Sequence, residues 1–321
     1  MSTLRQSASM HVIKTARKLF ADTPAAKLRL ASSIYGKMFL VGFGSSDEMT
    51  VVFRGIRLST PTRDNVLAPG IVGGYYEKIE LDVFERLVGL SRTIIDVGAN
   101  IGLYCCLAAA RASEKSEIVA FEPIRENLDY LRRNIDQNGQ NSRVVVEDQA
   151  VGESTGELKI FLAKGDIVRH SPSSKNARGS QNAVSVPMVA LDEYVAENLN
   201  RPVDLLKIDV EGYDGYVLRG ATRIMECDKP TLFVELIPSN LRNCNFSLTD
   251  FVDIIFSSYD NVFIADELGA TLRRRTRKDL LDGKGICKNA NLIAVSSAKH
   301  AEHLAAVEAY QQEMHRKHAR S

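Results

Sequence analysis

With 321 residues, 45% hydrophobic and 25% charged, the chain has an ordinary globular composition and enough length for one large α/β domain or two modest ones. Lys plus Arg (41) nearly balance Asp plus Glu (40), a formal charge of +1, so no whole-protein field exists to grip nucleic acid, and none is expected as a partner. Five cysteines without C-x-x-C spacing argue against a zinc cage or disulfide framework, and no apolar run is long enough to span a bilayer or act as a secretory signal; a cytoplasmic protein is expected.

Met1 to Phe20 is Ser/Thr-rich and then basic, and Met10, Ile13, Arg17 and Phe20 line one face of a possible amphipathic helix. A loosely docked terminal helix is expected there, with weak membrane-surface contact as the alternative. Met49–Phe53 and Ile56–Ser59 flank Arg54-Gly55 as a short hairpin. Gly70, Gly73 and Gly74 mark a flexible passage into a helix over Glu77–Leu90. From there β-rich runs alternate with helical ones: Thr93–Val97, helix Leu103–Ala112, Glu117–Phe121, helix Arg125–Asn138, Arg143–Val146, Leu158–Leu162, Val203–Val210, helix Tyr213–Met225, Thr231–Leu236 and helix Leu248–Ser257. Asn261–Ala265 and Asn291–Val295 close the domain as an antiparallel pair, and a polar helical tail follows Ala298. Such alternation predicts an α/β, Rossmann-like doubly wound sheet with ligands at the carboxyl ends of its strands. The expected division is an N-terminal appendage over 1–74, a main domain over 75–297 and the tail over 298–321. Lys164–Ala183 is the only long irregular stretch, and such loops are often functional.

The most informative residues are Ile94-Ile95-Asp96-Val97-Gly98-Ala99-Asn100-Ile101-Gly102, an apolar strand entering a glycine turn and then a helix. Glycine permits close ligand approach, and the helix start adds free N–H groups and a positive dipole end. A dinucleotide fold uses a similar turn for pyrophosphate, which wants no carboxylate beside it. Asp96 at the strand end suits a cationic ligand, such as a sulfonium compound bearing an amino group, and argues for S-adenosylmethionine over NAD. Glu122 ends the second strand, where a carboxylate accepts ribose hydroxyls; its alternative role is to cap the next helix. In Glu147-Asp148-Gln149-Ala150, Asp148 is the residue expected to meet an adenine ring.

In Leu205-Leu206-Lys207-Ile208-Asp209-Val210-Glu211-Gly212, strand alternation puts Lys207, Asp209 and Glu211 on one face. Three charges on a buried strand are costly unless paired or opened to a cleft. The readings are a ligand crevice receiving Asp209 and Glu211, or a structural Lys207–Asp209 ion pair.

Taken together, these segments resemble the FkbM family of methyltransferases. The resemblance runs through Gly74-Tyr75-Tyr76-Glu77, Asp96 to Gly102, Phe121-Glu122-Pro123, Ala150-Val151-Gly152, Leu191-Asp192, Lys207 to Gly212, Val217-Leu218-Arg219-Gly220 and Phe233-Val234-Glu235, in the family's order. It implies a class I methyltransferase fold with seven strands, the last antiparallel, S-adenosylmethionine as cofactor, and transfer to oxygen, commonly on a sugar or secondary metabolite. The acceptor is therefore expected to be a glycan or small molecule. The expected cofactor-binding set is Glu77, Asp96, Gly98, Asn100, Gly102, Glu122 and Asp148. The segments before Gly74 and after Leu236 match nothing in the family, and such regions select the acceptor.

Methyl transfer from a sulfonium is an in-line displacement, so Asp96 is expected to hold the amino acid or ribose end and leave sulfur alone. An unactivated hydroxyl benefits from a general base. The candidates are Asp209, Glu211 and Glu235 at two strand ends and His170 in the long loop. Those carboxylates holding a divalent ion is the less favoured reading, and no metal ligand is assigned. The competing functions are a nicotinamide oxidoreductase, disfavoured by Asp96 and by spacing that is not G-x-G-x-x-G, and a catalytically silent binding module. His300 with His303 and His315 with His318 are expected on a solvated helix, Arg273-Arg274-Arg275 on a solvated loop tip, and Cys105-Cys106 in the core.

Overall fold

The computed structural model describes residues 48–62, 67–73, 76–164, 167–266, 271–283 and 290–318. The expectations for Met1–Phe20 and for Gly74-Tyr75 lie outside the described residues.

β1 (Glu48–Phe53) and β2 (Ile56–Pro61) form the expected hairpin. Arg54 (φ 49°) and Gly55 (φ 86°) supply the two left-handed residues that a tight hairpin turn requires. The flexible passage expected around Gly70 is instead a short helix, α1 (Leu67–Gly73). Burial of Leu67, Ala68 and Ile71 outweighs the poor helix propensity of glycine, and Gly70 lets the Tyr76 ring pack directly on the helix.

α2 (Lys78–Val88), β3 (Thr93–Val97), α3 (Leu103–Arg111), β4 (Glu117–Phe121), α4 (Arg125–Gln137) and β5 (Val144–Glu147) follow as the periodicity predicts. The chain then makes a small sheet from β6 (Ala150–Gly152), β7 (Gly156–Phe161) and β8 (Ala183–Ala190), ordered β6-β8-β7, and helix α5 (Leu191–Asn198). Sequence reading missed β8 and α5, because Pro187 interrupts an otherwise β-prone run.

β9 (Leu205–Ile208) returns to the main sheet. The single helix expected over Tyr213–Met225 is two, α6 (Asp214–Arg219) and α7 (Thr222–Cys227). The Asp192 carboxylate accepts Arg223 N–H at 2.7 Å and Ile224 N–H at 3.0 Å, which starts a new helix after Gly220. β10 (Thr231–Leu236), α8 (Pro238–Asn243), α9 (Leu248–Ser258) and β11 (Asn261–Asp266) come next, then β12 (Thr271–Arg275), α10 (Arg277–Leu281), β13 (Ala290–Val295) and α11 (Ala301–His318).

The main sheet has eight strands in the order β12-β11-β13-β10-β9-β3-β4-β5 rather than seven. The extra strand is the arginine run, which pairs antiparallel with β11 as an edge strand instead of capping a loop. β13, the last strand in the chain, is antiparallel to both β10 and β11, while β5, β4, β3, β9 and β10 are parallel. Alternation in β3 sends Ile94 to one core and Ile95 to the other, so helices cover both faces. The chain winds outward from β3 to β5 and restarts at β9 on the opposite side of β3. That reversal opens a crevice at the carboxyl ends of β3, β4 and β9.

His303 on α11 corrects the solvated-helix expectation. It is 3% exposed, with Nδ1 at 2.7 Å from the Thr231 hydroxyl and Nε2 at 3.5 Å from that of Ser91. Among the described residues, no helix is long and apolar enough to cross a membrane.

Candidate active site

The turn after β3 is built from three left-handed residues, Gly98 (φ 78°), Asn100 (φ 53°) and Gly102 (φ 90°). Both glycines are needed for packing as well as for backbone angle. A Cβ on Gly98 would lie 2.0 Å from the Asp209 carbonyl oxygen, and one on Gly102 would lie 2.7 Å from Leu131 Cδ1. The Asn100 side chain turns away to donate to the Ile167 carbonyl at 2.9 Å, and Asn127 donates to the same carbonyl at 3.1 Å. Asn100 thus anchors the long loop to the turn.

Glu122 projects from the tip of β4 and is 4% exposed. Its Oε2 accepts the Asn100 N–H at 2.9 Å and its Oε1 the Ile124 N–H at 2.9 Å, so it braces the turn and caps α4 at once. Each oxygen keeps acceptor capacity. Burial pushes its carboxyl up to about 7, against the lowering effect of those two N–H groups. Gly98, Asn100, Glu122, Gln149, His170, Asp209 and Glu211 line one partly open cavity, with Ile124, Leu158, Ile160 and Ile167 among its apolar walls. The Ser/Asn-rich loop forms one side of it: the Ser171 hydroxyl and the Asn176 amide donate to the Glu211 carbonyl at 2.7 and 2.9 Å. Those bonds hold Glu211 at φ 51°, a costly angle for a residue with a side chain.

Asp209 and Glu211 therefore lie beyond the last residue of β9, and the left-handed Glu211 breaks the expected three-charge alternation. Lys207 is 7% exposed. Its Nζ stands 3.3 Å from Asp96 Oδ1, 3.7 Å from Asp209 Oδ2, 3.3 Å from the Gly98 carbonyl and 4.9 Å from the Tyr104 ring centroid. Parallel register sets Asp96 beside Lys207, and Asp96, buried and facing that ammonium, is not among the residues that line the cavity. Burial raises the Asp96 carboxyl above its usual range and Lys207 opposes it; the three neighbouring charges in turn push the ammonium up.

Further carboxyls crowd the same side. Glu77, just before α2, accepts the Tyr104 hydroxyl at 2.7 Å, and burial together with the Asp209 charge raises it to about 7. Glu235 is pushed well above the ordinary range by burial and by Asp209 and Glu211. Asp214, missed by sequence reading, accepts the Val210 and Gly212 N–H groups at 3.3 and 3.0 Å and is raised by burial to about 7. Neither Glu77 nor Glu235 lines the cavity. His170 does, and its Nδ1 accepts the Ala163 N–H at 3.1 Å. A neutral ring so held carries its proton on Nε2 and serves as a donor rather than a base.

Asp148 is exposed and pairs with Arg132 at 3.5 Å, and its neighbour Gln149, rather than Asp148, lines the cavity. Three of the quoted segments are structural. A Cβ on Gly220 would lie 1.9 Å from the Gly152 carbonyl, so these glycines let α6 dock on β6, and Asp192 caps α7. Among the described residues no group of three or more His, Cys, Asp or Glu side chains is arranged to hold a metal.

A family model described as the methyltransferase FkbM domain matches residues 96–263. Among curated proteins, hexuronic acid methyltransferase AglP of Haloferax volcanii is 27% identical over 131 residues, covering 41% of this chain and 50% of that protein. Methyltransferase sdnD of Sordaria araneosa is 31% identical over 158 residues, covering 40% and 59%. The chain thus spans about half the length of the curated relatives it matches. A crystal structure of methyltransferase FkbM from Methylobacillus flagellatus is similar over 72% of this chain and 55% of that one, at 16% identity and a TM-score of 0.41.

Proposed function

The chain belongs to the FkbM methyltransferase family, and from that premise we propose that it transfers the methyl group of S-adenosylmethionine to a hydroxyl oxygen of a glycan or small-molecule acceptor. The observation that carries the cofactor assignment is Glu122, a buried carboxylate with spare acceptor capacity on a cavity that the bare backbone of Gly98 also lines. The pairing suits a ribose diol held at the strand tip beside a closely approached turn. Gln149 and the aliphatic walls suit a flat, partly polar ring. S-adenosylmethionine, when bound, supplies an electrophilic methyl carbon on a sulfonium. A relative named for hexuronic acid methylation supports a sugar acceptor.

The protein's own part in the reaction is to bind, align and take one proton. Of the four candidate bases, Asp209 combines a 32%-exposed carboxylate with a place on the cavity wall, and we assign it the hydroxyl proton as the oxygen–carbon bond forms. Glu235 does not line the cavity and is poorly placed as a base. His170 is assigned a donating role through Nε2–H, and the Glu211 side chain, which accepts from Asn240 at 3.2 Å, a shaping one. The methyltransferase domain is taken as 75–297, as the sequence suggested.

Calorimetric titration with S-adenosylmethionine, S-adenosylhomocysteine and NAD tests the reading. Saturable binding of the first two and not the third is expected. No binding of either sulfur compound at millimolar concentration would end it.

A further inference from the structure

One buried cation serves a wall of carboxylates. Lys207 lies where the turn after β3 meets the turn after β9, and its ammonium reaches the Gly98 carbonyl, Asp96 and Asp209 within 3.7 Å. Gly98 and Asp209 both line the cavity, in backbone contact so close that no Cβ fits between them. Lys207 itself does not line it. It acts on the cavity through the two residues it holds.

We propose that Lys207 is a positioning residue whose ammonium limits the negative field that the cavity turns on a cationic methyl donor, while tying Gly98 to Asp209. This rests on the cofactor reading above. The physical reason is the sign of the charge change in the reaction. Positive charge leaves sulfur as the methyl transfers, so a strongly negative wall holds the donor more tightly than the transition state and slows the step. The Lys207 ammonium offsets negative charge on Asp96 and Asp209, and removing it leaves that wall more negative.

The consequence is measurable with no acceptor in hand. S-adenosylmethionine and S-adenosylhomocysteine differ by the methyl group and the positive charge on sulfur, so the ratio of their affinities reads the local field. Other ionisable groups face Lys207 or its partners: Glu77 before α2, Tyr104 on α3, Glu122 from β4, Glu211 and Asp214 after β9, and Glu235 on β10, and the Lys207 charge itself acts on Glu77 and Glu122.

The experiment measures both dissociation constants at pH 8 for wild type, Lys207→Met, Lys207→Gln and Lys207→Arg. In the Met and Gln variants the preference for S-adenosylmethionine over S-adenosylhomocysteine should exceed that of wild type by about 5-fold or more. Lys207→Arg should stay within about 2-fold. If either neutral variant binds both compounds with the wild-type ratio, Lys207 is only a packing residue and the inference is overturned. Should Lys207→Met not fold, Lys207→Gln decides, because its amide can still donate to Gly98. Wild type binding neither compound would instead sink the cofactor reading, a separate outcome.

Discussion

Glu122 enters the folded protein with its carboxyl raised to about 7, because burial costs the charged form more than two N–H donors return. Only the carboxylate offers every lone pair to a diol, so affinity for S-adenosylhomocysteine should fall as pH drops through about 7. Glu122→Gln should lower that affinity by about 10- to 100-fold and flatten its pH dependence, as titration calorimetry will report. The linkage has the opposite sign for the empty protein. A carboxyl raised on folding contributes stability that is complete below its unfolded value and is lost as pH rises through about 7. Urea unfolding of the cofactor-free protein should therefore show a loss of stability between pH 5 and pH 8 that is shallower by ~1–3 kcal/mol in Glu122→Gln, even though the amide leaves one of the two N–H groups without its acceptor. At Gly98 the contact is backbone, and Gly98→Ala should destabilise by ~3 kcal/mol or more and abolish binding. These residues were legible in the sequence because glycine and carboxylate types at strand tips carry local meaning. The partners of Asp96 were not, since the register between β3 and β9 sets Lys207 beside it.

Among the elements, the break between α6 and α7 shows what local periodicity misses. The apolar spacing from Tyr213 to Met225 is continuous, yet Asp192, a residue from the first turn of α5, supplies the cap that starts α7. Asp192→Ala should cost ~1–2 kcal/mol in a denaturant midpoint while leaving S-adenosylhomocysteine affinity within about 2-fold, because the cap lies outside the cavity lining. A shift in affinity of tenfold would show that α7 is coupled to the site. The Lys164–Ala183 loop makes the complementary point. Its composition marked it as irregular and functional in type. That Ile167, Val168, His170 and Pro172 wall the cavity follows from Asn100 and Asn127 seizing the Ile167 carbonyl.

Across the whole molecule, α11 returns from the end of the chain to clasp the core. Arg86 pairs with Glu313 at 2.8 Å, Tyr310 donates to Asp82 at 3.0 Å, Gln311 donates to the Leu272 carbonyl at 2.8 Å, and His303 is buried on Thr231. Burial depresses the His303 imidazole to about 4, with the His300 ring adding to the effect. A base depressed on folding contributes stability that is complete above its unfolded value near 6.5 and is lost as pH falls through about 4. Thermal melts of His303→Gln should accordingly show a shallower loss between pH 6.5 and pH 4 than wild type, the difference reaching ~1–3 kcal/mol. Equal slopes would mean that α11 releases by some other route. The sequence alone determined the layered α/β class, the positions of the main strands along the chain and the glycine turn beside Glu122, because strand and helix periods and turn chemistry are written within a few consecutive residues. Only the tertiary structure decided the order of the strands in the sheet, that Asp96 faces Lys207, that Gln149 rather than Asp148 lines the cavity, and that His303 is buried, because each depends on the registration of segments far apart in the chain.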